Sequence, residues 1–156
     1  MLPRHPPRQE PSNNMASIDE YRAQIASGRE ALKSAIKNAG DRWEVAPAGG
    51  EGEESWAPRK VAEHVIGSER YFAGAIAGAM EGKAPERKEY SFESNADALA
   101  ALEESCVDCD KVFRYIEDRD MAKAAPMPDG IPFPKTIEGF LQLNAYHLND
   151  HAKQIG

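Results

Sequence analysis

The sequence predicts an all-α fold: a four-helix bundle in up-down-down-up order, with a long crossover between helices 2 and 3. Three observations carry that expectation. Leu, Ala, Glu and Lys dominate the middle of the chain and β-branched runs are absent, which favours helix over sheet. Apolar residues recur at helical spacing in four segments, each opened by a helix-start signal. Three histidines, far apart in sequence, can meet only if helices 2 and 4 run antiparallel.

The first helix opens at Ser17-Ile18-Asp19-Glu20, the pattern of a capping box. Ile18, Tyr21, Ile25, Leu32 and Ile36 form its inner face, and Gly40 is its stop. Residues 41–57 hold Pro47, Gly49, Gly50 and Gly52 among acids, so they read as a loop flanked by Trp43 and Trp56. Helix 2 starts at Pro58, a good first-turn residue, and runs to about Met80 with Val61, Val65 and Ile76 inward. A polar connection spans 82–93. Helix 3 begins near Ser94 and turns Leu99, Leu102, Cys106, Cys109, Phe113 and Ile116 toward the core. Prolines at 126, 128, 132 and 134 forbid helix over 118–135. Thr136 caps helix 4, which ends at Ile155.

The bundle domain is expected over 17–156. Residues 1–16, rich in Pro, Arg, Gln and Asn, are expected to be a disordered tail. Met15, just before the first helix signal, is a second candidate start of translation.

The composition is 41% hydrophobic and 29% charged, ordinary for a folded domain. The net charge of -7 disfavours nucleic acid as a partner. The best apolar stretch, Tyr71 to Met80, is far shorter than the roughly 20 residues a spanning helix needs. With no apolar run at the N-terminus to act as a signal peptide, a cytoplasmic location is expected. Cys106 and Cys109 form a C-x-x-C well inside helix 3. Redox pairs sit instead at a helix N-terminus, so both are read as core.

His147 and His151 stand four apart on helix 4, which puts both imidazoles on one face. Alone, such a pair is a weak metal signal. His64 borders the apolar stripe of helix 2, and three inward-leaning histidines in so small a core are costly without a shared role. His64 lies near the start of helix 2 and the pair near the end of helix 4. Up-down-up-down order would keep them apart, whereas up-down-down-up order brings them together. The latter needs the 82–93 connection to cross the bundle, and twelve residues reach roughly 40 Å when extended.

The segments EHVIGSERYF, around His64, and TIEGFLQLNAYHLNDHAKQI, around His147 and His151, resemble the DinB/YfiT-like superfamily over residues 18–155. The resemblance implies a helical bundle of this topology and a divalent metal ion, zinc or nickel foremost, held by His64, His147 and His151. It also implies a metal-dependent S-transferase using a low-molecular-weight thiol of the bacillithiol or mycothiol type. Metal-dependent hydrolysis and metal binding without turnover are the alternatives. The partner is a small-molecule substrate, and a homodimer is expected because dimers are common in the family.

Three neutral imidazoles leave coordination positions open, as in catalytic rather than closed structural sites. Asn144 and Asp150, one turn either side of His147, are candidates for orienting an imidazole. Tyr71 is read as core, with pocket lining as the alternative. Glu69 and Arg70 are read as surface or loop anchors, and Glu63 as pointing elsewhere on the helix. The pocket mouth is expected between 41–57 and 82–93, with Trp56 as a wall and an anionic ligand inside. That arrangement requires Glu51, Glu53 and Glu54 to face solvent.

Overall fold

The computed structural model describes residues 16–156; the expected tail lies, but for Ala16, outside the described residues. Four helices form: α1 (Ile18–Ala39), α2 (Pro58–Ala79), α3 (Asn95–Phe113) and α4 (Ile137–Ile155), and no strand occurs among the described residues. Each starts where the side chains direct it. Ser17, Ser94 and Thr136 accept from the backbone N–H three residues on, and Pro58 opens α2. Gly40, at φ 51°, ends α1 in a conformation that side chains disfavour.

Side-chain pairs fix the directions. His64 meets His147, Glu69 meets Asn144, and Phe72 meets Phe140, so α2 and α4 are antiparallel. Tyr21 meets Glu138 while Arg42 meets the carbonyl of Ile155, so α1 and α4 are parallel. Arg22 bonds the carbonyl of Phe113 and Asn95 that of Ile36, so α1 and α3 are antiparallel. The order is up-down-down-up, as the histidines require. Consecutive helices α1 and α2 sit on a diagonal, each flanked by α3 and α4. Where α1 crosses α4, a Cβ on Gly28 would stand 2.9 Å from Leu148 Cβ, so glycine sets that approach.

A buried polar clasp joins all four helices. Arg29 of α1 pairs with Glu69 of α2 across the diagonal at 2.9 Å, and with Asp110 of α3 at 2.8 Å. Asn144 of α4 donates to the same Glu69 carboxylate at 2.9 Å. Glu69 and Arg70 are therefore not surface residues; they are 1% and 2% exposed. Arg70 does anchor a loop, but from the interior. It donates to the Glu86 carbonyl at 3.0 Å and the Tyr90 hydroxyl at 2.7 Å, and pairs with Asp108 at 2.8 Å. It thereby fastens the crossover to α2 and α3. Glu63 accepts from the Phe92 backbone at 2.7 Å, and Trp43 donates to the Phe92 carbonyl.

Residues 114–136 form no α-helix. They fold back through a short 3-10 turn, Asp118–Asp120, and a lone bridge between Ala124 and Thr136, with Met121, Met127 and Phe133 buried. Cys109 is buried and Cys106 half-buried. Burial pushes their thiols up to about 12 and about 11, so neither favours the thiolate; Cys109 is a core residue and Cys106 packs against the core from its edge.

Candidate metal centre

His64 sits in the second turn of α2, and His147 and His151 near the end of α4. The antiparallel register brings all three to one level. His147 Nε2 stands 3.2 Å from His64 Nε2 and 3.0 Å from His151 Nε2. Ligands at about 2.0–2.1 Å from a tetrahedral ion stand about 3.3 Å apart, close to these separations. The three are the described residues grouped so that they can hold a metal ion.

Neighbouring groups fix the rings. Trp56 meets His64 edge-on at 5.3 Å, and Phe72 meets His147 at 5.6 Å. On His151, Nδ1 lies 2.7 Å from Gln154 Oε1, while the Gln154 amide nitrogen donates to the Glu53 carbonyl. A carbonyl only accepts, so Glu53 sets the amide's orientation and Gln154 Oε1 must accept from His151. That bond places the His151 proton on Nδ1 and leaves the Nε2 lone pair toward the cluster.

Burial favours the neutral form of His64 and His147. His147 is pushed down to about 2, first by burial, then by His151 and His64. His64 is lowered by burial and by His151, against the opposing pull of Glu53. Neutral imidazole is the ligating form, so proton competition at His64 and His147 sets in below the ordinary histidine range.

The cluster opens into a cavity of about 570 Å³. Tyr71, Phe72, Leu143 and Asp150 line it from α2 and α4, and Pro128, Gly130 and Ile131 close it from the segment before α4. A groove of about 740 Å³ adjoins it, shares His64, Ser68 and Tyr71, and runs between Trp56, Lys60 and the crossover at 87–90. The expected mouth corresponds to this groove, with Trp56 as its wall. The cavity holding all three histidines has a wall that sequence reasoning missed, residues 128–131.

Several assignments change. Asn144 orients no imidazole; it bonds Glu69 one turn below. Asp150 lines the cavity. Tyr71 is 43% exposed at the pocket, and the core ring is Phe72. Glu51 and Glu54 are exposed, but Glu53 is half-buried with Oε1 3.5 Å from His64 Nε2. Gln154 was overlooked, although its position three after His151 is a helical-neighbour signal. Glu53 lies in an irregular loop, where no periodicity marks it.

The fold and site define a bundle of the DinB type. The family profile of the DinB superfamily matches residues 24–155, and the chain belongs to that superfamily. A solved structure described as a DinB-like protein from Bacillus cereus ATCC 10987 is similar at 16% identity and a TM-score of 0.63. The similarity covers 89% of this chain and 88% of that one, and at this identity it concerns the fold alone. No curated protein matches. No helix among the described residues is long and apolar enough to cross a membrane.

Proposed function

We propose that this chain is a metal-dependent enzyme, a thiol S-transferase acting on a small electrophilic substrate, with His64, His147 and His151 holding one zinc or nickel ion. The observation that carries the reading is the convergence of three imidazole nitrogens, at separations of 3.0–3.2 Å, on the wall of a cavity. Their donor set suits zinc, nickel, iron and copper, and three protein ligands leave room for a substrate.

A divalent ion bound there supplies Lewis acidity that lowers the pKa of a thiol or a water. The chain's own residues do the positioning. Gln154 keeps the His151 lone pair inward, Trp56 and Phe72 fix the other two rings, and Leu143 and Ile131 give the cavity apolar walls. The thiol has to come from a small molecule, because burial disfavours the thiolate of Cys106 and Cys109 and neither lines the cavity. The bacillithiol or mycothiol type follows from the family resemblance. Hydrolysis is the second reading, favoured by the carboxylates Glu53 and Asp150 on the cavity wall.

Metal analysis of purified protein tests the first half, with one equivalent expected per chain. An assay of thiol plus electrophile, with and without chelator, tests the second. Thiol conjugation that needs both metal and thiol supports the transferase. Turnover without thiol selects hydrolysis, and metal-loaded, folded protein inert to both substrate types overturns the enzyme reading.

A further inference from the structure

Two chambers meet at the histidines, and their linings differ in charge. The groove shares His64, Ser68 and Tyr71 with the metal cavity, so a molecule lying in it reaches the same imidazole. Among the described residues, the charged side chains on the cavity wall are the acids Glu53 and Asp150. The groove is lined by the cations Lys60, Arg70, Arg87 and Lys88 and by the acids Glu63 and Glu89. Arg70 is matched by Asp108, Lys88 by Glu104 and Glu63 by Arg59. Among the described residues no carboxylate matches Lys60 or Arg87, and no cation matches the exposed Glu89. The unmatched charge of the groove is therefore positive, in a chain whose net charge is -7.

Both cations are held in place without being neutralised. Lys60 stands in the first turn of α2, where a cation opposes the helix dipole. The other three helices carry acids in that turn, and α2 carries none. Arg59 beside it is offset by Glu44 and Glu63, whereas Lys60 lies over the Trp56 ring with its Nζ 4.6 Å from the centroid. The same ring meets His64 edge-on at 5.3 Å, so one indole separates the ammonium from the histidine cluster. Across the groove, Arg87 sits on a pinned stretch of backbone. Arg70 donates to the Glu86 carbonyl before it, and Lys88 after it pairs with Glu104. The Arg87 side chain itself is exposed and bonds nothing among the described residues.

We propose that the groove is the subsite for an oxyanion, a carboxylate or a phosphate, on a small substrate whose other end reaches the histidines, and that Lys60 and Arg87 select for it. This rests on the transferase reading above. It assigns the anionic reactant to the groove rather than to the cavity, where Glu53 and Asp150 repel an anion. Ammonium and guanidinium both form charge-assisted hydrogen bonds to these oxyanions. Their exposed setting limits each contact to about a few-fold in affinity.

The test titrates the zinc-loaded full chain with mercaptosuccinate and with 2-mercaptoethanol, which share a thiol and differ in the carboxylates, and reads binding by calorimetry. Mercaptosuccinate should bind about tenfold more tightly, and Lys60→Gln and Arg87→Gln should each weaken it about threefold. Neither change should alter 2-mercaptoethanol binding or metal affinity. Lys37→Gln, which removes an exposed cation of α1 away from the groove, should match wild type with both thiols. Raising the salt should weaken mercaptosuccinate binding in wild type and less in the double variant. Displacement by succinate in preference to inorganic phosphate assigns a carboxylate, and the reverse assigns a phosphate. Equal affinity for the two thiols, or undiminished mercaptosuccinate binding in a double variant with wild-type melting, overturns the subsite. Succinate, which has no thiol, is titrated into metal-free protein as well. Binding there that the two variants weaken upholds the groove even if no metal binds, so failure of the subsite and failure of the metal reading are distinct.

Discussion

Two polar clusters share the antiparallel pair α2 and α4, little more than a turn apart, and they are built on opposite principles. The clasp of Arg29, Glu69, Asp110 and Asn144 is complementary: guanidinium and amide donate, and carboxylates accept. The cluster of His64, His147 and His151 is not. Its Nε2 atoms face one another at 3.0–3.2 Å, and the tautomer fixed by Gln154 leaves at least one of them a bare acceptor. A buried charge matched by its partners needs nothing further, whereas three imidazole nitrogens gathered this closely are able to share a cation. The clasp ties the four helices together and the histidine cluster carries the proposed metal site, and each can be broken without the other.

The largest expected effect is on the clasp. Glu69→Leu leaves the Arg29 guanidinium and the Asn144 amide without their buried acceptor. Removing one partner of a buried pair costs about 3–5 kcal/mol, here toward the lower end because Arg29 keeps Asp110. Denaturant unfolding should show that loss, and the melting temperature should fall by roughly ten degrees. A loss under about 1 kcal/mol would mean that the clasp is not what holds the diagonal together.

Next comes the histidine cluster, where the sign reverses. Replacing all three histidines with alanine should abolish metal binding, and His151→Ala alone should weaken it about tenfold or more, at least 1.4 kcal/mol. Added metal should raise the melting temperature of wild type and leave that of the triple variant unchanged. Equal metal response in both would remove the contrast between the clusters.

Acid should separate them again. His147 is pushed down to about 2 and His64 is also lowered, while an unfolded histidine titrates near 6.5. Below about pH 6.5 the unfolded metal-free chain therefore binds more protons than the folded one. Stability from these groups is complete above that pH and declines as pH falls, by up to about 1.4 kcal/mol per pH unit for each proton. Asp108, bonded to Arg70, and Asp120, bonded to Lys123, are lowered from the usual carboxylate range, so their contribution is lost only at lower pH. Urea unfolding of metal-free protein at pH 7.5 and 5 should show the decline, and His147→Phe should flatten it. An unchanged slope in that variant would place the acid sensitivity elsewhere.

The two clusters also differed in how legible they were. Helix starts were readable because Ser17, Ser94, Thr136 and Pro58 act locally, and the H-x-x-x-H pair was readable because i,i+4 neighbours share a face. The topology followed from requiring His64 to join that pair. The clasp was invisible: Arg29, Glu69, Asp110 and Asn144 resemble surface residues in sequence, and only tertiary packing on the diagonal makes them partners. Glu53 was expected to face solvent, and the 128–131 wall was not foreseen, for a related reason. Irregular backbone has no period, so nothing in the sequence says which side chain of a loop turns inward.

The smallest effect should come from Trp56, which touches the site but does not belong to it. Its ring meets His64 edge-on at 5.3 Å, and Lys60 lies over its other part at 4.6 Å from the centroid. Trp56 packs on the core at its edge and lines the groove beside the cavity. Trp56→Ala removes one wall of the groove and one support of the His64 ring, while leaving the three imidazoles and the clasp intact. Metal stoichiometry should stay at one and affinity should fall by only a few-fold, since an orienting neighbour is lost rather than a ligand. KM for a substrate reaching into the groove should rise more than kcat falls, because the lost contact binds without being made only in the transition state. Metal affinity, substrate affinity and kcat all equal to wild type would show that the groove is not part of the working site. The cavity bounded by Tyr71 and residues 128–131 would then be the sole approach to the histidines.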